Sequence, residues 1–146
     1  DIRNKLIAHK AAEMFRKASS ELVESGITDF EDSIIFIADK LIDQLSNDKS
    51  LLTFISKNLS WGIFKTVLIN SKDDTDIDFR VIFWELFEKS PMHYDNPEIL
   101  IFMIIELVSS TSYSTILYNE PVSIDELKPF LFSAIRSMIH QQARIR

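Results

Sequence analysis

Apolar positions recur along the chain at the three- and four-residue spacing of a helix with one buried face. Residues 2–24 repeat Ile7, Ala11, Met14, Phe15, Ala18 and Leu22, and Ser25-Gly26 ends the run. Gly26 can take the left-handed conformation that closes a helix. Thr28 and Glu31 then form a capping-box pattern, in which each side chain satisfies a free backbone N–H. The helix they open carries Phe30, Ile34, Ile37, Ala38, Leu41 and Leu45 on one face, widened by Ile35 and Ile42. Asn47 or Asp48 can cap a third helix with Leu51, Leu52, Phe54, Ile55 and Leu59 inside. Trp61-Gly62 marks a bend or a helix end, and 63–69 (IFKTVLI) reads as helix, because a lone strand would have nothing to pair with. A polar loop (NSKDDTD, 70–76) precedes a helix with Phe79, Ile82, Phe83, Leu86 and Phe87 inside.

The last third of the chain departs from this one-face pattern. Residues 90–97 (SPMHYDNP) read as a loop, with Asn96 as N-cap and Pro97 at the first helical position. The run ILIFMIIELV (99–108) is apolar on more sides than one small domain can cover, and it dissolves into SSTSYST (109–115). A turn (YNEPVS, 118–123) leads to a final helix opened by Ser123 and Glu126, with Leu127, Phe130, Leu131, Ala134, Ile135, Met138 and Ile139 as its stripe. Pro129 should kink it or shift its start, for want of an N–H. Two helices joined by a short turn make an αα-hairpin. The pattern predicts an all-α fold, a bundle of about six helices in one domain over residues 1–146.

Composition narrows the function classes. Two glycines are few for a sheet protein, and without cysteine there is neither a disulfide nor a thiolate metal site. The longest uninterrupted apolar run is far short of the about 20 residues of a membrane span, and no signal peptide leads the chain. A cytoplasmic, membrane-free protein is therefore expected. A net charge of −6 argues against a nucleic-acid surface on this chain. The basic group Arg3, Lys5, Lys10, Arg16 and Lys17 reads as a solvated helix face. The chain begins at Asp1 rather than Met, as if processed or cut.

Candidate chemistry is sparse. Asp74, Asp76, Asp78 and Glu85 mimic a calcium loop, but Phe79 stands where the loop needs glycine. His9, His93 and His140 lie in separate segments without helical metal spacing. No phosphate loop, nucleophile elbow or cofactor motif is present, so neither an enzyme nor a cofactor is expected.

Two features remain. Trp61, Phe64, Phe83, Trp84 and Phe87 concentrate mid-chain, beside Phe102 and Met103. They form either ordinary core or an apolar cavity for a ligand. Glu106 lies in line with Phe102, Met103, Ser109, Ser110 and Tyr113. Facing inward, it would need a polar pocket or a structural partner. The rest of the hairpin surface would then face elsewhere: Ile101, Ile105, Val108, Ser112 and Thr115 on the first helix, with Phe132, Ile135 and Met138 on the second. Another helix of the chain, or a second subunit, would cover it.

The segment ELVSSTSYSTILYNEPVSIDELKPFLFSAIRSMI (106–139) resembles the end of the regulatory domain of TetR/AcrR-type transcriptional regulators, above all in Asn119-Glu120-Pro121 and Ser123-Ile124-Asp125-Glu126-Leu127-Lys128-Pro129-Phe130-Leu131. The order of the earlier helices fits as well. The resemblance implies a homodimer built on the last two helices and a cavity for a small apolar effector. It also implies a DNA-binding helix-turn-helix before residue 1, with residues 1–25 as the linker helix. The competing expectation is a helical protein–protein interaction module with no ligand. A helical-bundle enzyme would need Glu106 near His93 or Tyr113.

Overall fold

The computed structural model describes residues 2–58 and 85–145, the side chains of residues 3, 4, 7, 8, 58 and 145 excepted. The described chain is α-helical apart from one minimal two-stranded sheet. The first helices are α1 (Ile2–Ser25), α2 (Phe30–Asn47) and α3 (Lys49–Asn58). Residues 85–89 are helical, and strand β1 (Met92–Tyr94) follows. The hairpin consists of α4 (Pro97–Tyr118) and α5 (Ile124–Gln142), and strand β2 (Ala143–Ile145) ends the described chain.

Local chemistry sets the boundaries. Gly26 has φ +78 and ends α1 in the left-handed region. The cap of α2 is Asp29 rather than Thr28: its carboxylate accepts the N–H of Asp32 at 2.9 Å. Asp48, not Asn47, caps α3 through the N–H of Leu51 at 3.0 Å. Asn96 and Ser123 cap α4 and α5 as expected, accepting from Ile99 and Glu126. Asn119 closes α4 at φ 54, and the Ser114 hydroxyl donates to the Glu120 carbonyl at 2.7 Å across the turn. α5 runs continuously through Pro129 from Ile124, so the proline does not move its start.

α2 is the central element and touches α1, α3, α4 and α5. Its wide apolar face explains that position: Phe30, Ile34, Ile37, Ala38, Ile42 and Leu45 are all buried. Ile42, Leu52, Leu100 and Ile135, from four different helices, reach 0–1 % exposure at the centre of the core. A seam of small residues, Ala11, Ala18 and Ser19, brings α1 close to α2, and the Gln44 amide donates to the Met14 carbonyl at 3.0 Å.

The segment expected to be a loop contains a strand. Met92, His93 and Tyr94 pair antiparallel with Ile145, Arg144 and Ala143. Three residues whose partner lies some fifty positions on give no periodic signal. The pairing straps the C-terminal end over an aromatic cluster. Phe30 lies 4.9 Å from both Phe87 and Tyr94, centroid to centroid, and the Tyr94 hydroxyl is 3.0 Å from that of Ser90.

Candidate functional site

The hairpin carries most of the residues singled out by sequence, and its two helices divide their faces sharply. On α4, Leu100, Ile101, Ile104, Val108, Ser112, Thr115 and Ile116 are buried. The opposite stripe is Ile99, Phe102, Met103, Glu106 and Ser110, all exposed, with half-buried Tyr113 beyond. Ile99, Phe102 and Met103 keep 50 %, 37 % and 43 % of their surface in solvent. Tyr113 meets Tyr118 edge to face, 6.3 Å between centroids.

This reverses the expected orientation. Phe102, Met103 and Glu106 belong to one stripe, as read from the sequence, but that stripe faces outward. Ile101, Val108, Ser112 and Thr115 face the chain's own core instead of a second subunit, and Ile135 of α5 does the same at 0 % exposure. Ile105, Phe132 and Met138 are half-buried and pack against that core. The cause is the desolvation of Glu106. A carboxylate held in an apolar interior without a partner costs several kcal/mol, whereas the small hydroxyl residues of the other face are cheap to bury. Thr111 and Thr115 donate to the carbonyls of Leu107 and Thr111, at 2.6 and 2.8 Å.

On α5, Leu131, Ile135 and Ile139 are buried. Phe130, expected in that stripe, is 76 % exposed instead. It lies beside exposed Glu126, Ser133 and Ser137 on the outer surface of the helix. Ile99 and Phe130 are thus outward apolar residues that the sequence reading missed. The helical spacing from Glu106 and Glu126 could have found both, had those charges been used to orient the helices.

The mid-chain aromatic set is only partly visible. Trp61, Phe64, Phe83 and Trp84 lie outside the described residues. Phe87 is buried against Phe30 and Tyr94, on a different surface from the outward Phe102 and Met103.

The cations of the hairpin are all engaged with acids on other elements. Lys128 lies 2.9 Å from Asp39 and 2.8 Å from Asp43, one turn apart on α2. Burial pulls its ammonium down, but the bonds to Asp43 and Asp39 outweigh that and hold it above the ordinary lysine value. Arg136 reaches Glu31 at 2.7 Å and Asp32 at 3.0 Å in the first turn of α2. Those bonds, Glu31 first, raise it above the usual arginine value. His140 meets Glu31 at 2.6 Å, and in β2 Arg144 meets Asp95 at 2.9 Å.

Among the described residues no three His, Asp or Glu side chains are grouped to hold a metal ion. α4 is long and apolar enough to cross a membrane by length and composition, although no single apolar run in it is. Here it packs against α2, α3 and α5. Compared with known protein families, curated proteins and solved structures, the chain has no match in any of the three.

Proposed function

We propose that the chain is the effector-binding and dimerisation domain of a TetR-like transcriptional regulator. It binds a small, largely apolar molecule and so controls DNA binding by a separate helix-turn-helix domain. The observation that carries the reading is the hairpin. It leaves Ile99, Met103 and Phe130 exposed on its outer surface, with Phe102 partly exposed beside them. Large apolar side chains grouped on one helix face mark an interaction face. The resemblance of residues 106–139 to the end of such regulatory domains supports a second copy of the chain as its partner.

The expected interface moves accordingly. A second copy meets Ile99, Phe102, Met103, Glu106 and Ser110 of α4 and Phe130 and Ser133 of α5, not Ile101, Val108, Ser112, Thr115 or Ile135. The effector site is proposed among Trp61, Phe64, Phe83, Trp84 and Phe87. Binding there would shift α1, and with it the spacing of two DNA-reading heads that must match operator half-sites. The ligand must bind the two arrangements with different affinity.

Both tryptophans of the chain belong to the proposed effector site, so intrinsic fluorescence reports on it directly. A panel of apolar ligands is expected to include one that changes the emission saturably and raises the melting temperature. No change in either, with any ligand, contradicts the effector reading. The competing module without a ligand shares the outward stripe and predicts a monomer that binds a different protein.

A further inference from the structure

We infer that the β1–β2 strap is a two-state clasp, closed by Arg144, that links Phe87 to the open end of the hairpin, where α4 starts and α5 finishes. The clasp is read from the fold alone. That it carries an effector signal rests on Phe87 belonging to the proposed effector site.

Three elements meet at the strap: the helical residues 85–89, α4 and α5. Tyr94 of β1 packs its ring 5.6 Å from that of Phe87 and 4.9 Å from that of Phe30, and its hydroxyl lies 3.0 Å from that of Ser90. The Ser90 oxygen also accepts the N–H of Met92 at 3.2 Å. Ser90 and Tyr94 are both buried, so β1 is tied from within to the segment that carries Phe87. On the other side, β2 follows α5 directly, with Ala143 opposite Tyr94 and Arg144 opposite His93. The N–H of Asp95 donates to the Gln142 carbonyl at 3.2 Å, and Asp95 precedes Asn96, the cap of α4.

One guanidinium joins these elements. Nη2 of Arg144 lies 2.9 Å from the Asp95 carboxylate, while Nη1 donates to the carbonyls of Gln141 and Ala143 at 3.1 and 3.0 Å. The Gln141 carbonyl stands in the last turn of α5, where no later helical N–H reaches it. Arg144 therefore holds the end of α5 and the approach to α4 at once.

The clasp is lightly built. Each strand has three residues, too few for a two-stranded ribbon to be stable alone. Arg144 and Asp95 are 56 % and 51 % exposed, so solvent screens their attraction. Such an element opens locally while the core stays folded. Opening removes a support from the Tyr94 ring and from the end of α5 together, and a change at Phe87 reaches Arg144 through the same contacts. The coupling is reciprocal.

Amide hydrogen exchange of the 146-residue chain, followed by NMR, tests the clasp with one reporter on each side. The Ser90 N–H is bonded to the Phe87 carbonyl, and the Ala143 N–H to the His140 carbonyl. Neither bond crosses between the strands. Arg144→Met is expected to speed exchange at Ser90 as well as at Ala143, by about two- to fivefold. Phe87→Leu is expected to speed exchange at Ala143 as well as at Ser90. Ile42→Val, in the core further along α2 from Phe30, controls for a general loss of stability and should leave both amides near wild type. Arg144→Met changes an exposed side chain and decides the point if Phe87→Leu does not fold. A response to Arg144→Met at Ala143 alone, or an equal response of both amides to Ile42→Val, overturns the clasp and leaves the effector reading standing. Both amides responding as expected, with no ligand changing the tryptophan emission, overturns the signal and leaves the clasp.

Discussion

Lys128 pins α5 to α2. It is only 21 % exposed and bonds two carboxylates one turn apart on α2, so its removal leaves Asp39 and Asp43 side by side without a counterion. Lys128→Met is expected to lower unfolding stability by about 1–3 kcal/mol, measured by urea denaturation at pH 7. Its ammonium titrates above the ordinary lysine value of 10.5. The stabilisation is therefore fully present below about pH 10.5 and is lost as the pH rises through the folded value. Wild type should lose this increment in strong alkali, and the methionine variant should not.

Ser112 gives the opposite case. It is 0 % exposed and its hydroxyl has no hydrogen-bond partner. Ser112→Ala removes an unsatisfied polar atom and should leave stability within about 1 kcal/mol of wild type. Ser112→Arg should unfold the chain rather than dissociate a dimer, and circular dichroism separates the two outcomes.

At the scale of elements, the capped helices were legible because each signal is local. Asn96 with Pro97, Ser123 with Glu126, and Gly26 depend on chemistry within one turn, and all three sit where expected. The α2 cap slipped by one residue because Thr28 and Asp29 are both competent caps. The faces of α4 were not legible from periodicity, since a helix apolar all round gives no preferred direction. Its orientation is set by a single energetic fact, the cost of burying Glu106, which outweighs the attraction of Phe102 and Met103 to an interior. The β1–β2 strap was invisible for another reason. Its strands are three residues each and pair only after α5 has brought the chain back past α2. The outward stripe of α4 makes few demands on the fold of one chain. Ile99→Asp combined with Met103→Asp should therefore keep helicity and melting temperature within a few degrees of wild type, as a thermal melt would show.

The whole molecule is an acidic all-α chain, and among the described residues α2 packs against α1, α3, α4 and α5. Among the described residues, Lys128, Arg136 and Arg144 are engaged in the contacts that fix α5 and the C-terminal strap to α2 and to Asp95 beside β1. The outer surface of the hairpin carries exposed Ile99, Met103 and Phe130 beside the carboxylates of Glu106 and Glu126. We propose that this face pairs with its own copy through α4 and α5. Sedimentation velocity at micromolar concentration and pH 6.5, on wild type and on Ile99→Asp/Met103→Asp, tests that claim directly. A wild-type dimer and a folded monomeric variant are predicted. A monomeric wild type, or a variant that stays dimeric, would contradict it.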